Sequence, residues 1–291
     1  MDGSLTVSRI GAHAPVAGGL ASAALPYIDA SGAEAIQVFI GNPRGWAPSA
    51  GDPTQDAAFV DGCGERGVPA FIHASLLVNI GSPTEATVTK STETLAHALA
   101  RGQAIGAAGV VFHAGSAVDA AHVAQAYKQL GECLMPLLDG AMATGGPRLL
   151  VEPSAGGGRS MAARVEDLAE YFEALDHHPW LGVCLDTCHA WAAGHDLATP
   201  GGMTTMLDAL VATCGPDRLR LIHANDSKDA CGSVRDRHEN IGAGLIGLAP
   251  FGELFAHSAT AGVPVVVETP SVGSTGHAMD IKALQGLRDR M

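Results

Sequence analysis

Residues 181–189 read LGVCLDTCH: five apolar or small residues, then Asp186, then a turn that carries His189. A run this short and this apolar is what a strand buried on both faces looks like, as in a parallel sheet. Seven further runs are built the same way: SRIGAH (8–13), AIQVFIG (35–41), PAFIHAS (69–75), AGVVFHAG (108–115), RLLVEPS (148–154), LRLIHAND (219–226) and PVVVETP (264–270). Between them lie longer stretches of helical pattern, such as 83–109 and 164–179, each with a Pro at one end. Strands alternating with helices predict a parallel α/β fold. The strand tips fall at His13, Gly41, His73, His113, Glu152, Asp186, His223 and Glu268, 28 to 45 residues apart, with only the second lacking a polar residue. A doubly wound sheet would show similar intervals. Six successive tips bearing His, Asp or Glu favour a closed (β/α)₈ TIM barrel, in which strand ends converge on one face. No linker or charge block divides the chain, so one domain over 1–291 is expected.

Composition limits the function classes. Of the 291 residues, 47% are hydrophobic and only 4% aromatic, which predicts an aliphatic core. The net charge of −13 argues against coating nucleic acid by bulk charge, but leaves room for a local cationic site or bound ions. No apolar stretch approaches a membrane span, and MDGSLTVSRIGAH has no secretory pattern, so a cytoplasmic protein is expected. Cys63, Cys133, Cys184, Cys188, Cys214 and Cys231 form no C-x-x-C pair and are expected to be free thiols.

The polar tips are residue types that bind zinc or a similar divalent ion. His73, His113, Glu152, Asp186, His223 and Glu268 brought together without an ion would suffer like-charge repulsion and desolvation. Two local motifs add donors. His189 follows Asp186 by three residues, and Asp236-Arg237-His238 is a D-x-H whose outer members point the same way on an extended segment. Nine donors exceed the four that one zinc takes and suit two or three ions with shared carboxylates.

These residues resemble endonuclease IV, the zinc-dependent apurinic/apyrimidinic (AP) endonucleases of base-excision repair. The match runs from IGAHAPVAGGL (10–20) to VVVETP (265–270), and LGVCLDTCHAWAAGHD (181–196) and HANDSKDACGSVRDRHENIG (223–242) are its most specific parts. The resemblance implies three zinc ions, with manganese at part of the sites. His73, His113 and Glu152 would hold the first. Glu152 would bridge to the second, held also by Asp186, His223 and Glu268. His189, Asp236 and His238 would hold the third. It also implies a TIM barrel that acts as a monomer on damaged double-stranded DNA. Cleavage would fall 5′ to the abasic site, leaving a 3′-hydroxyl and a 5′-deoxyribose phosphate, with trimming of blocked 3′ ends. Glu152 would be the catalytic carboxylate, orienting or deprotonating the attacking water.

Three divalent ions would take the charge from −13 to −7 and make the mouth locally positive. Arg44, Lys228, Arg235 and Arg237 are candidate phosphate contacts, with Trp46 beside Arg44. Leu76 stands where the family usually has an aromatic that penetrates the base stack; a leucine can wedge but not stack like a ring. After the fifth strand the usual E-N-T-A-G reads EPSAG, so Pro153 replaces an amide side chain. The alternatives are a xylose-isomerase-like sugar isomerase or epimerase, using Glu152, Asp186, His223 and Glu268 around one ion, and a lesion-binding module without turnover. Ion count separates the first from an endonuclease and a nicking assay the second. G-x-G-x-x-G at 242–247 follows no first strand and is not read as a dinucleotide site, so no organic cofactor is expected. Gly156-Gly157-Gly158 reads as a turn.

Overall fold

The computed structural model describes residues 7–271 and 276–291; residues 1–6 and 272–275 of the expected 1–291 domain lie outside the described residues. The strands are β1 (Ile10–His13), β2 (Ile36–Phe39), β3 (Ala70–His73), β4 (Gly109–His113), β5 (Arg148–Glu152), β6 (Leu181–Asp186), β7 (Leu219–His223), β8 (Asp226–Ser227), β9 (His238–Glu239) and β10 (Val265–Val267). Eight of them close a parallel barrel in the order β1-β10-β7-β6-β5-β4-β3-β2, while β8 and β9 pair antiparallel outside it. The expected TIM barrel is the fold observed.

Local sequence explains the helices. In the helix Pro53–Arg66, Asp52 accepts hydrogen bonds from the Thr54 and Gln55 amides, Pro53 opens the first turn, and Gly67 closes it at φ +60°. The helical pattern at 83–109 folds as Glu85–Ala104. The one at 164–179 is shorter than its pattern: a 3₁₀ turn, Val165–Asp167, leads into Leu168–Glu173. Asp176 and His177 then take positive φ and swing the chain into β6. All six cysteines are free thiols, as expected. Among the described residues no helix is long and apolar enough to cross a membrane.

The barrel interior is layered by the two-residue period of its strands. Ala35, Phe71, Val111, Leu150, Cys184, Leu221 and Val266 form a compact buried cluster of their own, separate from the larger core under the helices. β1 contributes Gly11 at this level, because a Cβ there would lie 1.6 Å from the Ala35 carbonyl oxygen. Two residues further along each strand come His13, Gln37, His73, His113, Glu152, Asp186, His223 and Glu268. An apolar floor therefore carries a ring of eight polar side chains at the C-terminal mouth.

A candidate metal centre at the barrel mouth

Glu152, 1% exposed, sits at the middle of this ring. Its Oε2 lies 3.2 Å from His73 Nε2 and 3.6 Å from His113 Nε2. Its Oε1 lies 3.1 Å from His223 Nδ1 and 3.3 Å from His189 Nδ1. Glu268 Oε2 is 3.3 Å and Asp186 Oδ2 3.9 Å from His223 Nδ1. On the far side His189 Nε2 is 3.2 Å from Asp236 Oδ2, and His238 Nε2 is 3.0 Å from Asp236 Oδ1. His73, His113 and Glu152 make one set with donor atoms all within 4.8 Å of one another; Asp186, His223 and Glu268 make a second; His189, Asp236 and His238 a third. All nine predicted donors are brought together, and two further sets, Asp186 with Cys188 and His238, and Glu152 with Asp186 and His189, overlap these three.

Two motifs close this arrangement. Asp186 caps the helix Thr187–Ala192, its Oδ1 accepting from the His189 amide at 2.9 Å, so the D-T-C-H spacing places His189 in the first helical turn. The D-x-H segment runs into β9, where His238 pairs with Ser227 of β8.

Hydrogen bonds orient the rings. His73 Nδ1 faces the Ala74 carbonyl at 2.8 Å, His189 Nδ1 the Pro153 carbonyl at 3.0 Å, His238 Nδ1 the Glu268 carbonyl at 3.1 Å, and His223 Nε2 the Gln37 Oε1 at 2.9 Å. These oxygens only accept, so the ring N–H sits there and the other nitrogen presents a lone pair to the centre. A lone pair cannot face a carboxylate at 3.0 to 3.3 Å without a proton or a cation between them. In the metal-free protein protons fill that role. Burial works against charge on His73, His189, His223 and His238, yet their neighbours raise all four: carboxylates throughout, and at His223 Cys184 ahead of the carboxylates, with His238 raised to about 9. Burial likewise opposes ionisation of Glu152, Glu268 and Asp236, but the imidazoles hold all three well below the usual carboxylate range. His113 is the exception, pushed down to about 4, chiefly by burial.

The donor set fits divalent ions. Two ligands on a tetrahedral ion with bonds of ~2.0–2.1 Å stand about 3.3 Å apart, close to most of the separations above. His238 Nε2 is buried and has no hydrogen-bond partner, although Asp236 Oδ1 lies 3.0 Å away, as expected of a nitrogen kept for an ion. Five imidazoles and four carboxylates are borderline donors suited to zinc.

Three further residues complete the centre: His13, itself a strand tip, and Gln37 and Asn225, which carry little or no sequence signal. Gln37 supplies the polar group that the second strand was expected to lack. It stands mid-strand, bonded to His223 and, at 2.6 Å, to Glu268. His13 Nδ1 touches Glu268 at 3.3 Å. Asn225, fully buried, donates to Asp186 Oδ2 at 2.7 Å and accepts from the Glu268 amide at 2.8 Å. A polar residue inside an apolar run was the available sign for Gln37.

The expected DNA contacts lie on the loops around the mouth. Arg44 is exposed and Leu76 is 40% exposed. Their loops form one ridge: the Leu76 amide donates to the Pro43 carbonyl at 2.9 Å, and Ser75 Oγ donates to the carbonyls of Pro43 and Gly45. Trp46 lines a cavity of about 280 Å³ behind that ridge. Lys228 is exposed. Arg235 and Arg237 are also exposed, and both pair with Asp229, at 3.6 Å and 2.6 Å.

Residues 25–289 match the family described as xylose isomerase-like TIM barrel. The chain is 56% identical over 286 residues to a probable endonuclease 4 of Streptomyces coelicolor, covering 98% of this chain and 97% of that one. It belongs to the endonuclease IV family. The crystal structure of endonuclease IV from Thermus thermophilus superposes with a TM-score of 0.85 at 34% identity, over 97% of this chain and all of that one. This endonuclease IV family member also shares its fold, at 17% identity and a TM-score of 0.69, with a 3-keto-D-glucoside 4-epimerase from E. coli, over 97% of this chain and 99% of that one.

Proposed function

We propose that the protein is an AP endonuclease. It hydrolyses the phosphodiester bond 5′ to abasic sites in duplex DNA, leaving a 3′-hydroxyl and a 5′-deoxyribose phosphate, and trims blocked 3′ ends. The observation that carries this reading is the convergence of nine donors at one mouth, in overlapping sets whose donor atoms lie within 4.8 Å of one another. His73, His113 and Glu152 would hold one zinc ion; Glu152, Asp186, His223 and Glu268 a second; His189, Asp236 and His238 a third, with manganese able to replace zinc at part of the sites. Such ions, when bound, would acidify the attacking water and neutralise charge on the phosphate and the leaving oxygen.

The chain's own groups position the reactants. Glu152, buried and ionised, orients the attacking water through a hydrogen bond to its carboxylate. The ridge bearing Arg44 and Leu76 meets the duplex, Arg44 on a phosphate and Leu76 as a wedge beside the lesion. Lys228, Arg235 and Arg237 bind the backbone from the opposite loop, with Asp229 holding the two arginines in place. One domain over 1–291 carries every donor the site needs, which is compatible with a monomer; our reading is a monomer acting in the cytoplasm. A sugar isomerase needs only the quartet around one ion and leaves five donors without a task.

The test joins metal analysis to a nicking assay on a duplex with one abasic analogue. About three ions per chain and a single incision 5′ to the analogue are expected. One ion with no incision returns the sugar-isomerase reading, and three ions with binding but no incision return the binding module.

A further inference from the structure

The chain leaves β7 at His223 and returns to the barrel only at β10, and this excursion carries Asp236 and His238. Near its start Asp226 is completely buried. Its Oδ1 accepts from the amides of Ser227 at 2.8 Å and Ile246 at 2.9 Å, and its Oδ2 from those of Gly242 and Gly244, each at 3.0 Å. The Gly247 amide lies within 3.3 Å of both oxygens. Among the described residues no Lys, Arg or His nitrogen comes within 4.0 Å of this carboxylate. Backbone amides alone compensate its charge, as in an anion-binding nest. G-x-G-x-x-G is therefore an anion cradle whose anion belongs to the same chain. A Cβ on Gly244 would lie 2.4 Å from Asp226 Oδ1, and Gly242 and Gly247 take φ of +81° and +79°.

We propose that Asp226 is a positioning residue for the third ion. Its carboxylate ties residue 226 to residues 242–247 and so closes the loop that presents Asp236 and His238. The clamp has a direct line to His238 and reaches Asp236 through its neighbour Arg237. Asp226 and Ser227 pair in register with Glu239 and His238, the Lys228 amide donates to the Arg237 carbonyl, and the Leu245 amide donates to the Ser227 carbonyl. The preceding residue, Asn225, bridges Asp186 and Glu268, so the clamp is seated on the barrel ring itself. Asp280 secures the far side, accepting from Asn240 Nδ2 and the Ile241 amide. Closing a loop of some twenty residues before the ion arrives removes an ordering cost that binding would otherwise meet. Asp236, whose side chain is 49% exposed, is the donor most in need of such support.

This proposal rests on the three-ion reading, and zinc analysis after dialysis against metal-free buffer separates the two. Wild-type protein holding fewer than three ions defeats that reading and this one with it. If it holds three, Asp226→Asn is expected to hold two and to bind the third at least tenfold more weakly in a chelator competition. Asp226→Asn should remove no further ion in a His238→Ala background, because the same ion is already gone. A folded Asp226→Asn protein that keeps all three ions at wild-type affinity overturns the proposal, as does an equal weakening of all three. Should Asp226→Asn fail to fold, Gly247→Ala decides. Its Cβ meets nothing within 4 Å, so it strains only the cradle at φ +79°. A several-fold loss confined to the third ion supports the clamp, and an unchanged third ion overturns it.

Discussion

The strand-tip ring and the 226–247 excursion supply the same centre by different means. Ring residues stand two positions above an apolar layer and are spaced by ladder registers such as His113↔Glu152 and Asp186↔His223. Their positions follow from burial, and His73, Glu152, Asp186 and His223 are at most 4% exposed. The excursion has strands of only two residues, places Val234 at φ +53°, and leaves Asp236 half-exposed. Polar clamps replace packing there: Asp226 on its glycines, Asp229 on Arg235 and Arg237. A barrel thus builds a rigid half-site at no extra cost in order, whereas donors carried on a loop depend on hydrogen bonds that proton, ion and solvent can contest.

Glu152→Gln attacks the rigid side at its centre and carries the largest expected effect. Nicking of abasic duplex should fall on the order of 10³-fold, while DNA affinity changes little. Cleavage within tenfold of wild type would remove Glu152 from the reaction.

Titration sharpens the contrast next. His238, raised to about 9, keeps its proton in the metal-free protein, so zinc must expel that proton. Zinc affinity at the loop end should climb about tenfold per pH unit for each proton displaced, from near neutrality until pH 9, then level off. His113, at about 4, adds no such slope above about pH 5. The sign reverses for the metal-free fold: the stabilisation from charged His238 is full below its unfolded pKa of ~6.5 and lost as pH rises through about 9. Calorimetric zinc titrations between about pH 6 and 9 check the first statement; a flat profile at the loop end contradicts it.

Arg44→Ala probes the exposed ridge. It should weaken duplex binding several-fold and reduce the slope of log affinity against log salt by about one unit. An unchanged slope takes Arg44 off the backbone. Val234→Gly carries the smallest effect. A β-branched residue at φ +53° is strained, and glycine should raise stability by up to about 1 kcal/mol, read by denaturant unfolding, offset in part by lost packing on Gly156. Lower stability would mean that the packing outweighs the strain.

Much of the centre was legible because a barrel strand repeats every two residues. An apolar run that stops at His, Glu or Asp marks both an inward-facing position and the open end. Gln37 escaped because it lies inside its run and not at the tip, and Asn225 because nothing local shows that its amide spans Asp186 and Glu268. G-x-G-x-x-G, which its context does not support as a dinucleotide site, holds an anion of the chain itself: Asp226, sixteen residues ahead of Gly242.

The amino-acid order alone determined which side chains face the barrel axis and what they can coordinate, since both follow from strand periodicity and donor chemistry. Only the tertiary structure decided which donors lie beside one another, which ring nitrogen is left bare, and what holds the loop in place. Those depend on distances of about 3 Å between residues up to 231 positions apart, which closure of the barrel sets and no local pattern encodes.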